Sequence, residues 1–121
     1  MSGASRMKGK VGERELAHLL TEITGWPVRR RVRQHAGDHD LEGITGWSIE
    51  VKRHARVTPA LVATWWDQAH RQAVASYCKA VLFYRADRGH WRAVWAPIGG
   101  SEYLDTTEAD PSLWWRMARL A

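Results

Sequence analysis

The chain has 121 residues, 45% hydrophobic and 26% charged, which suits one packed domain of 1–121 and excludes a disordered or fibrous class. Its net charge of +5 favours an anionic partner, and charge balance alone fits nucleic acid, an acidic protein or a membrane surface. No run of about 18 apolar residues offers a spanning helix, MSGASRMKGK lacks a signal-peptide core, and the single Cys78 excludes an internal disulfide and a cysteine-built zinc site. A cytoplasmic setting is therefore the default expectation, or the host cytoplasm if the chain is viral.

Residues 1–7 are small and polar and suit a flexible tail. From Lys8 to Thr24, Val11, Leu16, Leu19, Leu20 and Ile23 recur at helical spacing, and Gly25 is a natural stop. Glu13 falls at the edge of that apolar stripe, as a solvated helix charge or as part of a site. Glu15, two residues on, faces another side of the helix.

Trp26 to Gln34 reads as a first strand, with Pro27 near its start and Val28 and Val32 among the arginines. Arg29, Arg30, Arg31 and Arg33 form the densest basic cluster. They fit a charge-blunted edge strand or a row of phosphate contacts. Gln34 to Gly37 is then a loop. His35 and His39 show no metal-ligand spacing, so zinc is not expected.

Gly37 to Arg53, GDHDLEGITGWSIEVKR, is the stretch that carries chemistry. A Thr45-Gly46 turn separates a short strand beginning near Leu41 from the run Ile49-Glu50-Val51-Lys52. Alternation puts Glu50 and Lys52 on one face of a strand and Ile49 and Val51 on the other. Two carboxylates, Asp40 and Glu50, beside an ammonium make a site for a hard cation plus a positive charge. Phosphodiester hydrolysis needs such a set. Asp38 rivals Asp40, and Glu42 is a second-metal ligand or a solvated charge. A two-residue turn alone would put Asp40 on the face opposite Glu50. An odd loop or a bulge pairs Asp40 with Lys52 and unites the acids, so one of these is expected.

Thr58 and Pro59 are a cap and a first helical residue, opening a helix over 59–76. Leu61, Trp65, Gln68, Ala69, Gln72 and Ala73 share its broad stripe. Lys79 to Arg85 is a buried strand, 86–89 a turn, and Trp91 to Trp95 the returning strand. Residues 101–121 are expected as a C-terminal helical extension, a short turn followed by a helix near 111–120. Its Trp114 and Trp115 serve docking or pack on the sheet.

The Asp40 and Glu50-Val51-Lys52 halves resemble the PD-(D/E)XK nuclease superfamily. Gly9-x-x-x-Glu13-Arg14-Glu15-Leu16 followed by Leu19-Leu20 looks like the first helix of the archaeal-type Holliday junction resolvases. The likeness covers about residues 8–85. His39 stands where the superfamily often has proline. The resemblance implies a restriction-endonuclease-like αβββαβ core, an α/β (α+β) fold with a mixed central sheet flanked by helices. It also implies a Mg²⁺-dependent (Mn²⁺ possible) endonuclease acting on branched DNA as a homodimer. Carried over, Asp40 and Glu50 hold the metal with Glu13 as a third acid. Lys52 stabilises charge or positions water, and Gln68 orients it. Arg14 becomes a phosphate contact, and in a nuclease the basic cluster Arg29, Arg30, Arg31 and Arg33, with Arg53, is expected to join it against DNA. The rivals are nucleases of linear, flapped or single-stranded DNA, a non-catalytic DNA-binding module of the same fold, and a basic protein-interaction domain.

Overall fold

The computed structural model describes residues 3–31, 40–97 and 99–120. Helix α1 (Gly3–Thr24) starts before Lys8, where the apolar periodicity begins, and takes in residues 3–7 of the expected tail. It buries Leu16, Ala17 and Leu20. Val11 is exposed instead, because Gly12 makes the close approach to the sheet. Gly25 ends the helix at φ 75°, donating to the Thr21 carbonyl at 2.9 Å.

Six strands follow: β1 (Arg29–Arg30), β2 (Leu41–Glu42), β3 (Trp47–His54), β4 (Lys79–Ala86), β5 (Arg92–Trp95) and β6 (Thr107–Ala109). They form one mixed sheet in sequential order. β3 and β4 run parallel, and every other pairing is antiparallel. Helix α2 (Pro59–Ala75) supplies the crossover that a parallel pair requires. Thr58 caps it, accepting from the Leu61 N–H at 3.2 Å. Helix α3 (Pro111–Leu120) closes the chain after a 3₁₀ turn over Tyr103–Asp105.

Alternation along β3 and β4 divides the core in two. Leu41, Ile49, Val51, Val81 and Phe83 pack beneath α1 and α3. Ala80, Leu82 and Val94 pack beneath α2, against Val62, Trp65, Trp66, Ala69 and Ala73. The α2 stripe is thus turned slightly from the expected one, leaving Leu61, Gln68 and Gln72 at its half-buried margin. Two points differ at the C-terminus. Residues 107–109 add an edge strand, pairing Ala93 with Ala109, where a short turn before the helix was expected. Trp114 and Trp115 are buried at 0% and 7% exposure, so packing on the sheet, not docking, accounts for them.

Candidate active site

The hairpin between β2 and β3 decides where Asp40 points. The Trp47 N–H donates to the Ile44 carbonyl at 3.3 Å, closing a turn around Thr45 and Gly46. Leu41 nonetheless pairs with Ile49. Between turn and pair lie three steps on one side and two on the other. The extra residue is a bulge at Gly43, whose φ is 126°. A Cβ there would lie 2.5 Å from the Pro27 carbonyl oxygen, so only glycine fits. The bulge reverses the parity of the strand. Asp40 comes opposite Glu50, on the same face as Glu50 and Lys52. The partner is Glu50 and not Lys52, two residues away from the expected register.

Asp40 lies immediately before β2 and begins the site. The Asp40 N–H donates to the Ile49 carbonyl at 2.9 Å, and its carbonyl accepts from the Arg31 N–H at 3.2 Å. The Val51 N–H then donates to Asp40 Oδ2 at 2.8 Å, so the carboxylate takes the place of a strand neighbour. Glu50 is 4% exposed. Its Oε1 lies 3.6 Å from Lys52 Nζ, and its Oε2 is buried without a hydrogen-bond donor among the described residues. Burial pushes Asp40 up to about 6, relieved in part by the Val51 N–H and raised further by the Glu13 charge. Burial and then the Asp40 charge push Glu50 up to about 8, against the pull of Lys52. Two buried acids facing each other with one nearby ammonium are short of positive charge. That deficit, with an oxygen of Glu50 lacking a donor, fits a divalent cation held between Asp40 and Glu50.

The remaining expected residues divide. The Glu13 carboxylate meets Arg30 Nε at 2.6 Å, and its charge reaches Asp40. Among the described residues no cluster of three metal-binding side chains forms, and Glu13 stands beside the acidic pair with Arg30 against its carboxylate. Arg30 is half-buried on Glu13, because pairing with Leu41 turns it to the α1 face. Arg53 also lies on that face, as alternation after Lys52 demands. It contacts Glu15 Oε2 at 3.3 Å and Asp87 Oδ1 at 3.6 Å and is largely covered. Arg14 is exposed. Arg29 is exposed beside Glu42 at 3.6 Å. Arg31 is half-buried next to Asp40. Gln68 lies on α2, over the face that carries the acids, and no hydrogen bond joins it to Lys52 among the described residues. Arg33, His35, Asp38 and His39 lie outside the described residues.

One group escaped the sequence reading. Glu15 gathers the Arg85 guanidinium, Arg53 and the Trp91 indole N–H, the last at 2.7 Å. Its only signal was its offset from Glu13.

A family model described as "Phage putative PDDEXK endonuclease" matches residues 4–99. The chain belongs to this PDDEXK endonuclease family. Nucleases of the PDDEXK kind are generally dependent on divalent metal, in keeping with the charge deficit between Asp40 and Glu50. Protein D14 of Escherichia phage T5 is 29% identical over 112 residues, 75% of this chain and 70% of D14. The structure of Archaeoglobus fulgidus Hjc, a Holliday junction resolvase from an archaeal hyperthermophile, superposes with a TM-score of 0.52. It covers 90% of this chain and 88% of Hjc at 18% identity, a likeness of fold. Among the described residues no helix is long and apolar enough to cross a membrane.

Proposed function

We propose that the chain is a Mg²⁺-dependent endodeoxyribonuclease, with Mn²⁺ as a substitute, that nicks branched DNA as a homodimer. The observation that carries this reading is the buried Asp40–Glu50 pair on one face of the hairpin with Lys52 alongside. The branched substrate rests on the fold shared with Hjc, and a twofold pair of sites would deliver paired nicks.

In this reading Asp40 and Glu50 hold the ion, and the Val51 N–H keeps the Asp40 carboxylate in place. Bound there, the ion supplies polarisation of the phosphate and a water of lowered pKa. Lys52 offsets negative charge developing on the phosphate, from a side chain only a quarter exposed where such charge is worth most. Glu13 adds negative potential from the α1 side. Arg14, Arg29 and Arg31 are the candidates for backbone phosphates, which position DNA without reading its sequence. Gln68 remains the candidate on α2 for orienting Lys52 or the attacking water.

The test is nicking of a labelled four-way junction beside linear duplex, flap and single strand of the same sequence, with Mg²⁺ or chelator. Paired nicks on the junction alone, absent in chelator and in Glu50→Ala, are the expected result. Cutting of linear or flapped DNA keeps the site and discards the branched substrate. Cleavage that survives Glu50→Ala discards the site.

A further inference from the structure

Glu13 and Glu15 are two residues apart on α1, so they project about 200° apart around its axis. Glu13 shares the buried face with Leu16, Ala17 and Leu20, three, four and seven residues on, whereas Glu15 lies on the flank of that face. Glu13 reaches Arg30 on β1. Glu15 reaches the other way, to Arg53 on β3, Arg85 on β4 and Trp91 just before β5. Both guanidiniums are themselves fixed to the β4–β5 turn. Arg53 lies 3.6 Å from Asp87, and Arg85 Nε donates to the Gly89 carbonyl at 2.9 Å. Gly12 sits at the same place, where a Cβ would come within 3.2 Å of Arg53 Cβ.

An apolar stripe holds a helix against a sheet but resists rolling weakly, because hydrophobic contact has no direction. A carboxylate anchored on its flank does resist it. A side-chain head lies about 5–6 Å from a helix axis, so a roll of about 20° carries it about 2 Å. Glu13 holds Arg30 on β1, and the next residue, Arg31, donates its N–H to the Asp40 carbonyl at 3.2 Å, so displacement of Glu13 is passed along this edge to Asp40.

We propose that Glu15 is a positioning residue for the metal site: it clamps α1 against roll and so fixes Glu13 relative to Asp40. It touches neither ion nor DNA. The proposal rests on the metal-site reading above. A purely structural role predicts lower stability in Glu15→Ala and nothing more, so the test must read the site itself.

That test is Mn²⁺ affinity of the full chain without DNA, by electron paramagnetic resonance, for wild type, Glu15→Ala, Glu13→Ala and the double variant. Leu19→Ala, which trims a partly buried side chain of the same helix, controls for lost packing. Glu15→Ala should weaken Mn²⁺ binding about tenfold, the scale of outer-shell changes. The double variant should match Glu13→Ala within about twofold, the signature of action through Glu13. Leu19→Ala should leave the affinity unchanged even as it melts earlier. Full additivity in the double variant, or an equal loss in Leu19→Ala, overturns the proposal. If Glu15→Ala does not fold, Glu15→Gln completes the same cycle. Binding that is Glu50-dependent yet additive overturns this proposal alone. A wild type that binds no Mn²⁺, or binds it equally in Glu50→Ala, overturns the metal site and this proposal with it.

Discussion

Glu50 keeps one carboxylate oxygen 3.6 Å from Lys52 and buries the other without a donor among the described residues, facing a second acid. Folding alone would not favour such a pair, since a buried charge needs compensation. Stability should therefore report on it. Both acids have folded-state pKa values above their unfolded ones, so the folded metal-free chain holds more protons than the unfolded chain. Their contribution is present in full below about pH 4. It is lost as pH climbs through about 6 for Asp40 and about 8 for Glu50. Thermal melts in chelator should show wild type losing stability from pH 5 to pH 8.5 more steeply than Glu50→Gln. Mg²⁺ added at the alkaline end should restore the wild type more than the variant. Parallel pH profiles for the two chains would show that the pair is not charge-strained.

At the scale of elements, the site depends on one hairpin. Without the Gly43 bulge Asp40 would face the α1 side, so the bulge is as necessary as the acids. Gly43→Ala places a methyl against the Pro27 carbonyl at a φ that side chains rarely adopt. Strain of this kind costs about 1–3 kcal/mol, and the contact adds to it. Chemical denaturation should show at least that loss, and Mn²⁺ affinity should fall with it as Asp40 shifts. Gly46→Ala, with open space around it, is the control that should cost less. A Gly43→Ala chain as stable as wild type would remove the bulge from the argument.

The need for a bulge or odd loop was legible from parity, because Asp40 and Glu50 had to share a face. Its position was not, since the register depends on Pro27 and Val28 packing across from Gly43. The Thr58–Pro59 start, the parallel crossover and the β4–β5 hairpin were legible for local reasons, namely caps, periods and turns. β6 was not, because Thr107-Glu108-Ala109 shows no apolar alternation and is fixed only by its partner β5. Glu15 was invisible for a similar reason: its partners come from three other elements.

Over the whole molecule, the net charge of +5 does not measure the charge available to DNA. Arg30 and Arg53 are each set against carboxylates on the α1 face, whereas Arg14 and Arg29 are exposed. Each phosphate contact releases counterions, so the slope of log affinity against log salt counts the contacts made. In chelator, where cutting is blocked, Arg14→Ala and Arg29→Ala should each reduce that slope by about one. Arg53→Ala should leave it unchanged, because its guanidinium already serves Glu15 and Asp87. Fluorescence titrations of labelled branched DNA at several salt concentrations would measure all three. A reduced slope in Arg53→Ala would mean that this arginine leaves Glu15 to reach DNA, and the clamp on α1 would then open on binding. Unchanged slopes in Arg14→Ala and Arg29→Ala would take both out of the phosphate contacts and leave Arg31, half-buried next to Asp40, as the candidate that remains.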